Sequence, residues 1–133
     1  MRDRDRAVEL FEIGGEHDSA GREAEAVAPY REAIELGLPP DLDVQAHIQL
    51  ASTLRNLGQT QESVAMLRGV VAREPTHRAA RMFLSLALLS DGQPGSAVHE
   101  LLDLLLTDPG PPERYARSLR AYADDLVEPS DDR

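Results

Sequence analysis

Neither cysteine nor lysine occurs among the 133 residues. The first absence excludes disulfides, thiolate nucleophiles and thiolate metal sites. The second makes all 14 basic residues arginine. It excludes a lysine-bearing phosphate loop, a Schiff-base enzyme and a lysine general base. Long apolar runs are missing too: the longest, around Met82–Leu89, is interrupted by Ser85 and is too short to span a bilayer. Positive charge is scarce. A formal net charge of −10 repels phosphate backbones and anionic lipid heads, and the arginines are scattered among acids, so neither nucleic acid nor a membrane is an expected partner. The opening "MRDRDRAVEL" holds no apolar signal-peptide core, and a cytoplasmic setting is expected. A chain this long fits one domain able to bury roughly two-thirds of its unfolded surface.

What is present is a period. Gly21, Gly58 and Gly92 are each followed five residues later by a small residue: Ala26, Ser63 and Ala97. Spacings of 37 and 34 residues between those glycines signal stacked supersecondary units. In that register Tyr30, Leu67 and Leu101 share one large apolar position, and Ala33, Val70 and Leu104 share another. Pro75 and Pro109 coincide at the unit end, with Pro39 one residue late beside the longer loop "GLPPDLD". Each glycine suits a chain reversal where a Cβ would be strained. The small residue lets two helices approach, and the large one fills the groove beside it. Helical periodicity then predicts helices at about 3–19, 22–36, 42–57, 60–73, 77–90, 94–107 and 113–126. No segment shows the alternation of a strand.

The spacing resembles that of the tetratricopeptide repeat (TPR), a helix–turn–helix unit of about 34 residues. Within that family "HDSAGREAEAVAPYREAIELGL" and "QLASTLRNLGQTQESVAMLRG" resemble a bacterial group of short proteins, TPR group 5, which has no assigned activity. Ser63 and Val70 stand where the repeat usually has alanine, and Leu10, His47 and Arg81 where an aromatic is usual. The resemblance implies an all-α solenoid of three units at about 7–40, 44–77 and 78–111. A capping helix at 113–126 and a frayed acidic tail at 127–133 would follow.

Catalytic patterns are weak. His17, His47, His77 and His99 fall at four different places in the repeat. His17 and His47 differ in level by about seven residues, or ~10 Å of helical rise, too far to share an ion held near 2 Å. The "HD" at 17–18 resembles that of metal-dependent phosphohydrolases, whose other ligands have no counterpart here; a hydrolase using His17 and Asp18 is the remote alternative. Clustered acids such as Glu9, Glu12, Glu16, Glu32 and Glu35 read as solvated helix faces rather than as a glycosidic pair. The serines form no nucleophile elbow. Gly14–Gly15, inside a helix pattern with no preceding strand, reads as close helix packing. No enzyme, metal or cofactor is expected.

By resemblance, the first helix of each unit lines a concave side through its second, fifth, ninth and twelfth positions, three or four apart and so on one stripe. Those residues are Val8, Phe11, Gly15 and Asp18, then Gln45, Ile48, Ser52 and Arg55, then Ala79, Met82, Leu86 and Leu89. The lysine and asparagine clamp with which some TPR proteins grip a terminal carboxylate is absent. The expected partner-binding groove comprises Phe11, Asp18, Gln45, Ile48, Ser52, Arg55, Asn56, Met82, Leu86 and Leu89. Asp18 and Arg55 occupy matching levels, and pairing with each other is the simpler account of both. "RMFLSLALLS" is apolar nearly all round and must be covered. Either the cap buries it, or its concave side takes a partner's segment, a second copy or the chain's own terminus. The function expected is non-enzymatic binding of an apolar or amphipathic peptide segment of a protein partner, with a homodimer burying the third unit as the alternative.

Overall fold

The computed structural model describes residues 2–107 and 114–127. Seven helices follow one another there: α1 (Arg2–Ser19), α2 (Glu23–Leu36), α3 (Pro40–Asn56), α4 (Thr60–Arg73), α5 (Arg78–Ser90), α6 (Pro94–Thr107) and α7 (Ala116–Val127). No strand occurs among the described residues, and none of their helices is long and apolar enough to cross a membrane. α3 begins two residues earlier than its periodicity predicts, because Pro40 takes a first-turn position where a missing N–H costs nothing. Val127 belongs to α7; residues 108–113 and 128–133, and with them the start of the expected cap and the rest of the expected tail, lie outside the described residues.

The three expected reversals share one geometry. Gly21, Gly58 and Gly92 have φ of +78°, +87° and +76°, the left-handed region that a side chain would strain. The next residue's N–H reaches back five positions each time: Arg22 to the His17 carbonyl, Gln59 to Leu54 and Gln93 to Leu88, at 2.8, 2.8 and 2.9 Å. That closes the carbonyl end of each first helix. Each pair of helices (α1–α2, α3–α4, α5–α6) therefore forms an antiparallel hairpin, and α3 and α5 pack in turn on the preceding second helices, α2 and α4.

The small residues sit at these contacts. Ala26, Ser63 and Ala97 are buried. Ser63 is tolerated where alanine is usual because its hydroxyl donates to the Ala51 carbonyl at 2.7 Å, which removes the cost of an unpaired buried polar group. The largest core cluster joins α3, α4 and α5 through Ile48, Leu67, Val70, Leu84 and Leu88, and Leu119 of α7 enters it. Turns of successive units are tied as well: Asn56 Nδ2 donates to Glu23 at 3.2 Å and Thr60 to Asp91 at 2.9 Å. On the outer side Arg31 grips Glu62 through two bonds of 2.6 and 2.9 Å. That contact raises the arginine's pKa and lowers the glutamate's, both chiefly through the hydrogen bonds themselves.

α7 covers part of α5, as the expected cap does, but it does not continue the stack. Repetition of the α2–α3 and α4–α5 contacts would place it against α6, but it has no comparable packing there. It lies instead across α3 and α5. Tyr115 packs edge-on against Phe83 with ring centroids 5.4 Å apart, and the Tyr122 ring lies 4.5 Å from the Arg55 guanidinium carbon. The amino end of α7 thus meets early α5, and its later turns meet the carboxyl end of α3. The consequence is on α6, where Val98, Leu101, Leu102, Leu105 and Leu106 are exposed. Apolar surface in unit three is therefore open on its second helix, not on the concave side of its first.

Candidate functional site

A groove of about 1010 Å³ runs along the first helices, walled by α1 and α3 and closed on the far side by α7. Of the ten residues expected to form it, Phe11, Asp18, Gln45, Ile48, Ser52 and Asn56 line it. Arg55 stands at its edge beneath Tyr122. Met82 and Leu86 do not line it: both are half-buried against the same core cluster as Tyr115 and Tyr122. Leu89 is exposed and is also outside it. The third unit contributes Phe83 instead. In repeat register Phe83 matches Glu12 and Gln49, which line the groove too. The inward face thus takes in the position one beyond the expected fifth, a rotation of about 100° on a helix.

The floor of the groove is a polar knot that joins three helices. The Tyr30 hydroxyl of α2 donates to the Asp18 carboxylate of α1 at 2.7 Å. Thr53 of α3 donates to the same carboxylate, its oxygen 2.9 and 3.0 Å from the two carboxylate oxygens. The Gln49 side-chain amide lies 3.1 Å from the Tyr30 hydroxyl. Burial, then the bond to Asp18 and its negative charge, push the tyrosine well above its ordinary pKa, so the hydroxyl keeps its proton. Asp18 is therefore engaged with Tyr30 and Thr53, not with Arg55. The expected ion pair gives way because two hydroxyls from helices packed on α1 lie closer.

Arg55 makes other contacts. Its Nη1 lies 3.4 Å from the Ser90 hydroxyl, and its Nε and Nη2 are buried with no hydrogen-bond partner among the described residues. The face of Tyr122 above it supplies a cation–π contact, worth about 0.5–2 kcal/mol according to how far the cation is desolvated. Tyr115 reaches the groove from the other end. Burial raises its pKa, while the neighbouring Gln49 side chain and the charge of Arg114 oppose that rise.

Gly14 and Gly15 separate into two roles. A Cβ on Gly14 would stand 2.6 Å from the Tyr30 ring, so this glycine is the close helix contact expected of the pair. Gly15 has open space where a Cβ would go and lines the groove.

Aromatic residues mark the groove most clearly. The chain has three tyrosines and two phenylalanines, and all five (Phe11, Tyr30, Phe83, Tyr115 and Tyr122) line it. They come from four helices far apart in sequence, so no local motif gathers them. The spacing of Tyr115, Leu119 and Tyr122, by four and then three residues, was visible as one stripe on the last helix. That signal, which none of the expectations from sequence drew on, could have named the face that is covered but not what covers it.

Three of the four histidines have local partners. Arg22 Nε donates to His17 Nδ1 at 3.0 Å, with Glu25 3.3 Å from the same nitrogen. His47 Nδ1 lies 2.7 Å from the Asp43 carbonyl. His77 accepts from the Ala80 N–H as the amino-terminal cap of α5. His17 and Asp18 thus turn to separate sets of partners. No group of three or more potential ligands capable of holding a metal ion occurs among the described residues.

Among curated proteins none is significantly similar to the chain. A family model described as tetratricopeptide repeat, group 5, matches residues 7–126, the span of the hairpins and of nearly all of α7. A match over most of the length, on a framework of glycine-reversed helical hairpins, places the chain in the TPR group 5 family.

Proposed function

We propose that the chain is a non-enzymatic interaction module that takes an apolar or amphipathic peptide segment of a protein partner into the groove of its first helices. The observation that carries this reading is the gathering of all five aromatic side chains around one groove. Aromatic surface supplies large contact area at little entropic cost and is enriched where proteins bind. Phe11 offers apolar contact, while Gln45, Asn56 and Arg55 offer orientation. A helix from the chain itself, α7, already lies on this surface, which supports a helical guest.

The reading is tested by selecting amphipathic peptides on the full chain and titrating the best by calorimetry. Ser52→Arg and Gln45→Arg place bulk in the groove at half-buried positions. Each should weaken binding at least tenfold with an unchanged circular dichroism spectrum. Full affinity in both folded variants would refute groove binding.

A second reading, the homodimer, draws on the aliphatic stripe of α6, where Val98, Leu102, Leu105 and Leu106 are each more than half exposed. A self-complementary apolar stripe needs no matching charge. Light scattering would then give twice the monomer mass, returning to the monomer in Leu102→Glu/Leu105→Glu.

A further inference from the structure

Val98, Leu101 and Leu105 on α6 match Val64, Leu67 and Val71 on α4, and Val27, Tyr30 and Ile34 on α2, in the repeat register. On α4 and α2 those residues meet the next first helix. Val64, Leu67 and Val71 share a cluster with Ala80, Phe83 and Leu84 of α5. Val27, Tyr30 and Ile34 share one with Leu50 and Leu54 of α3. α7 is the next helix after α6, yet it lies in the groove, and the matching face of α6 is exposed with no described helix packed on it.

We infer that α7 has two alternative seats, the groove it fills here and the open face of α6, and that a partner helix entering the groove drives it from the first to the second. Three features carry this. α7 packs chiefly through one narrow stripe: Leu119 is its only buried residue and Tyr115, Tyr122 and Asp125 are half-buried, while Ala116, Ala121 and Ala123 are exposed. One stripe can serve only one seat at a time. Each seat offers apolar side chains to that stripe, Phe83 in the groove and Val98, Leu101 and Leu105 on α6, so moving between them largely exchanges burial for burial. The groove seat also fits α7 imperfectly, because two buried guanidinium nitrogens of Arg55 under Tyr122 have no hydrogen-bond partner among the described residues.

The same geometry specifies the displacing partner. It is an amphipathic helix with large apolar or aromatic residues at i, i+4 and i+7, like Tyr115, Leu119 and Tyr122, and with a carboxylate near the last of them to engage Arg55. Such a helix would meet α7 as a tethered competitor at an effective concentration on the order of millimolar. The inference rests on the groove reading for the identity of that partner; the exchange of α7 itself does not.

The cysteine-free chain allows a direct test. His99→Cys on α6 and Asp124→Cys on α7 are both exposed and accept spin labels whose separation reports the position of α7. Ser52→Arg/Arg55→Ala obstructs the groove seat without touching α7. It should raise the short-distance population at least tenfold with no peptide present. Adding Leu102→Glu/Leu105→Glu, which spoils the α6 seat at exposed positions, should remove that population again. Saturating the unobstructed, doubly labelled chain with a selected peptide should also shift the labels to the short distance. A distance unchanged by groove obstruction, in a variant folded by circular dichroism, overturns the exchange. Peptide binding with no label movement overturns it too and leaves the groove reading standing. Label movement on obstruction in a chain that binds no peptide supports the exchange and removes the groove reading.

Discussion

Val64 and Leu67 on α4 lie beneath α5 at 7% and 1% exposure, whereas Val98 and Leu101, the same repeat positions on α6, are 54% and 39% exposed. The side chains are nearly identical, so composition is not the cause. The first pair is followed by a helix that packs back on its own hairpin, and the second by one that crosses to the groove. Units one and two are also locked by directional bonds, from Tyr30 and Thr53 to Asp18 and from Arg31 to Glu62. α7 is held mainly by a ring face, an edge-on ring pair and one buried leucine, with one long directional bond, 3.4 Å from Asn56 Nδ2 to the Tyr122 hydroxyl. A repeat protein can thus be rigid where each face has its neighbour and adjustable at the end where one helix has a choice of surface.

Substituting matched tyrosines should break this contrast most visibly. Tyr30→Ala removes a fully buried ring and the donor to Asp18, and should cost about 3–5 kcal/mol in urea unfolding. Tyr122→Ala should cost no more than about 1 kcal/mol globally, while amide exchange in α7 accelerates and that in α3 and α4 does not. Equal losses from the two would mean that α7 is as integral as the hairpins.

Neighbouring glycines sharpen the comparison by sign. Gly14→Ala drives a methyl into the Tyr30 ring and should destabilise by about 1–3 kcal/mol. Gly15→Ala meets open space and should stabilise α1 by about 0.5–1 kcal/mol. Thermal melts of the two variants should move in opposite directions.

Alkaline titration tests the contrast through a single hydroxyl. Tyr30 is raised from its ordinary value of 10.0, so above that pH the unfolded chain loses a proton that the folded chain keeps. The contribution of this group is fully present below pH 10 and falls by about 1.4 kcal/mol per pH unit above it. The slope difference between wild type and Tyr30→Phe in urea unfolding at pH 9 to 11 measures it. An identical slope in Tyr30→Phe would show that Tyr30 is not the group responsible.

Much of this architecture was readable from spacing. The glycine period located the reversals because a left-handed backbone at a fixed interval admits few other residues. The small residues behind each glycine located the close helix contacts for the same steric reason. The groove was legible on α1 and α3, where Phe11, Ile48 and Ser52 follow the repeat. It failed on α5, where nearly every face is apolar and the pattern cannot distinguish Met82 from Phe83. The knot of Asp18, Tyr30 and Thr53 was hidden because its members lie 12 and 35 residues apart and belong to no shared motif.

Local chemistry was sufficient to choose helix over strand, to set the hairpin reversals and to mark which stripe of each helix must be covered. Those outcomes depend on interactions within a few turns of chain. The surface that covers the stripe of α7, and the resulting exposure of α6, were decided only when the units stacked. Hydrophobic burial is nearly indifferent to the identity of the apolar surface it meets, so geometry at the end of the stack makes that choice.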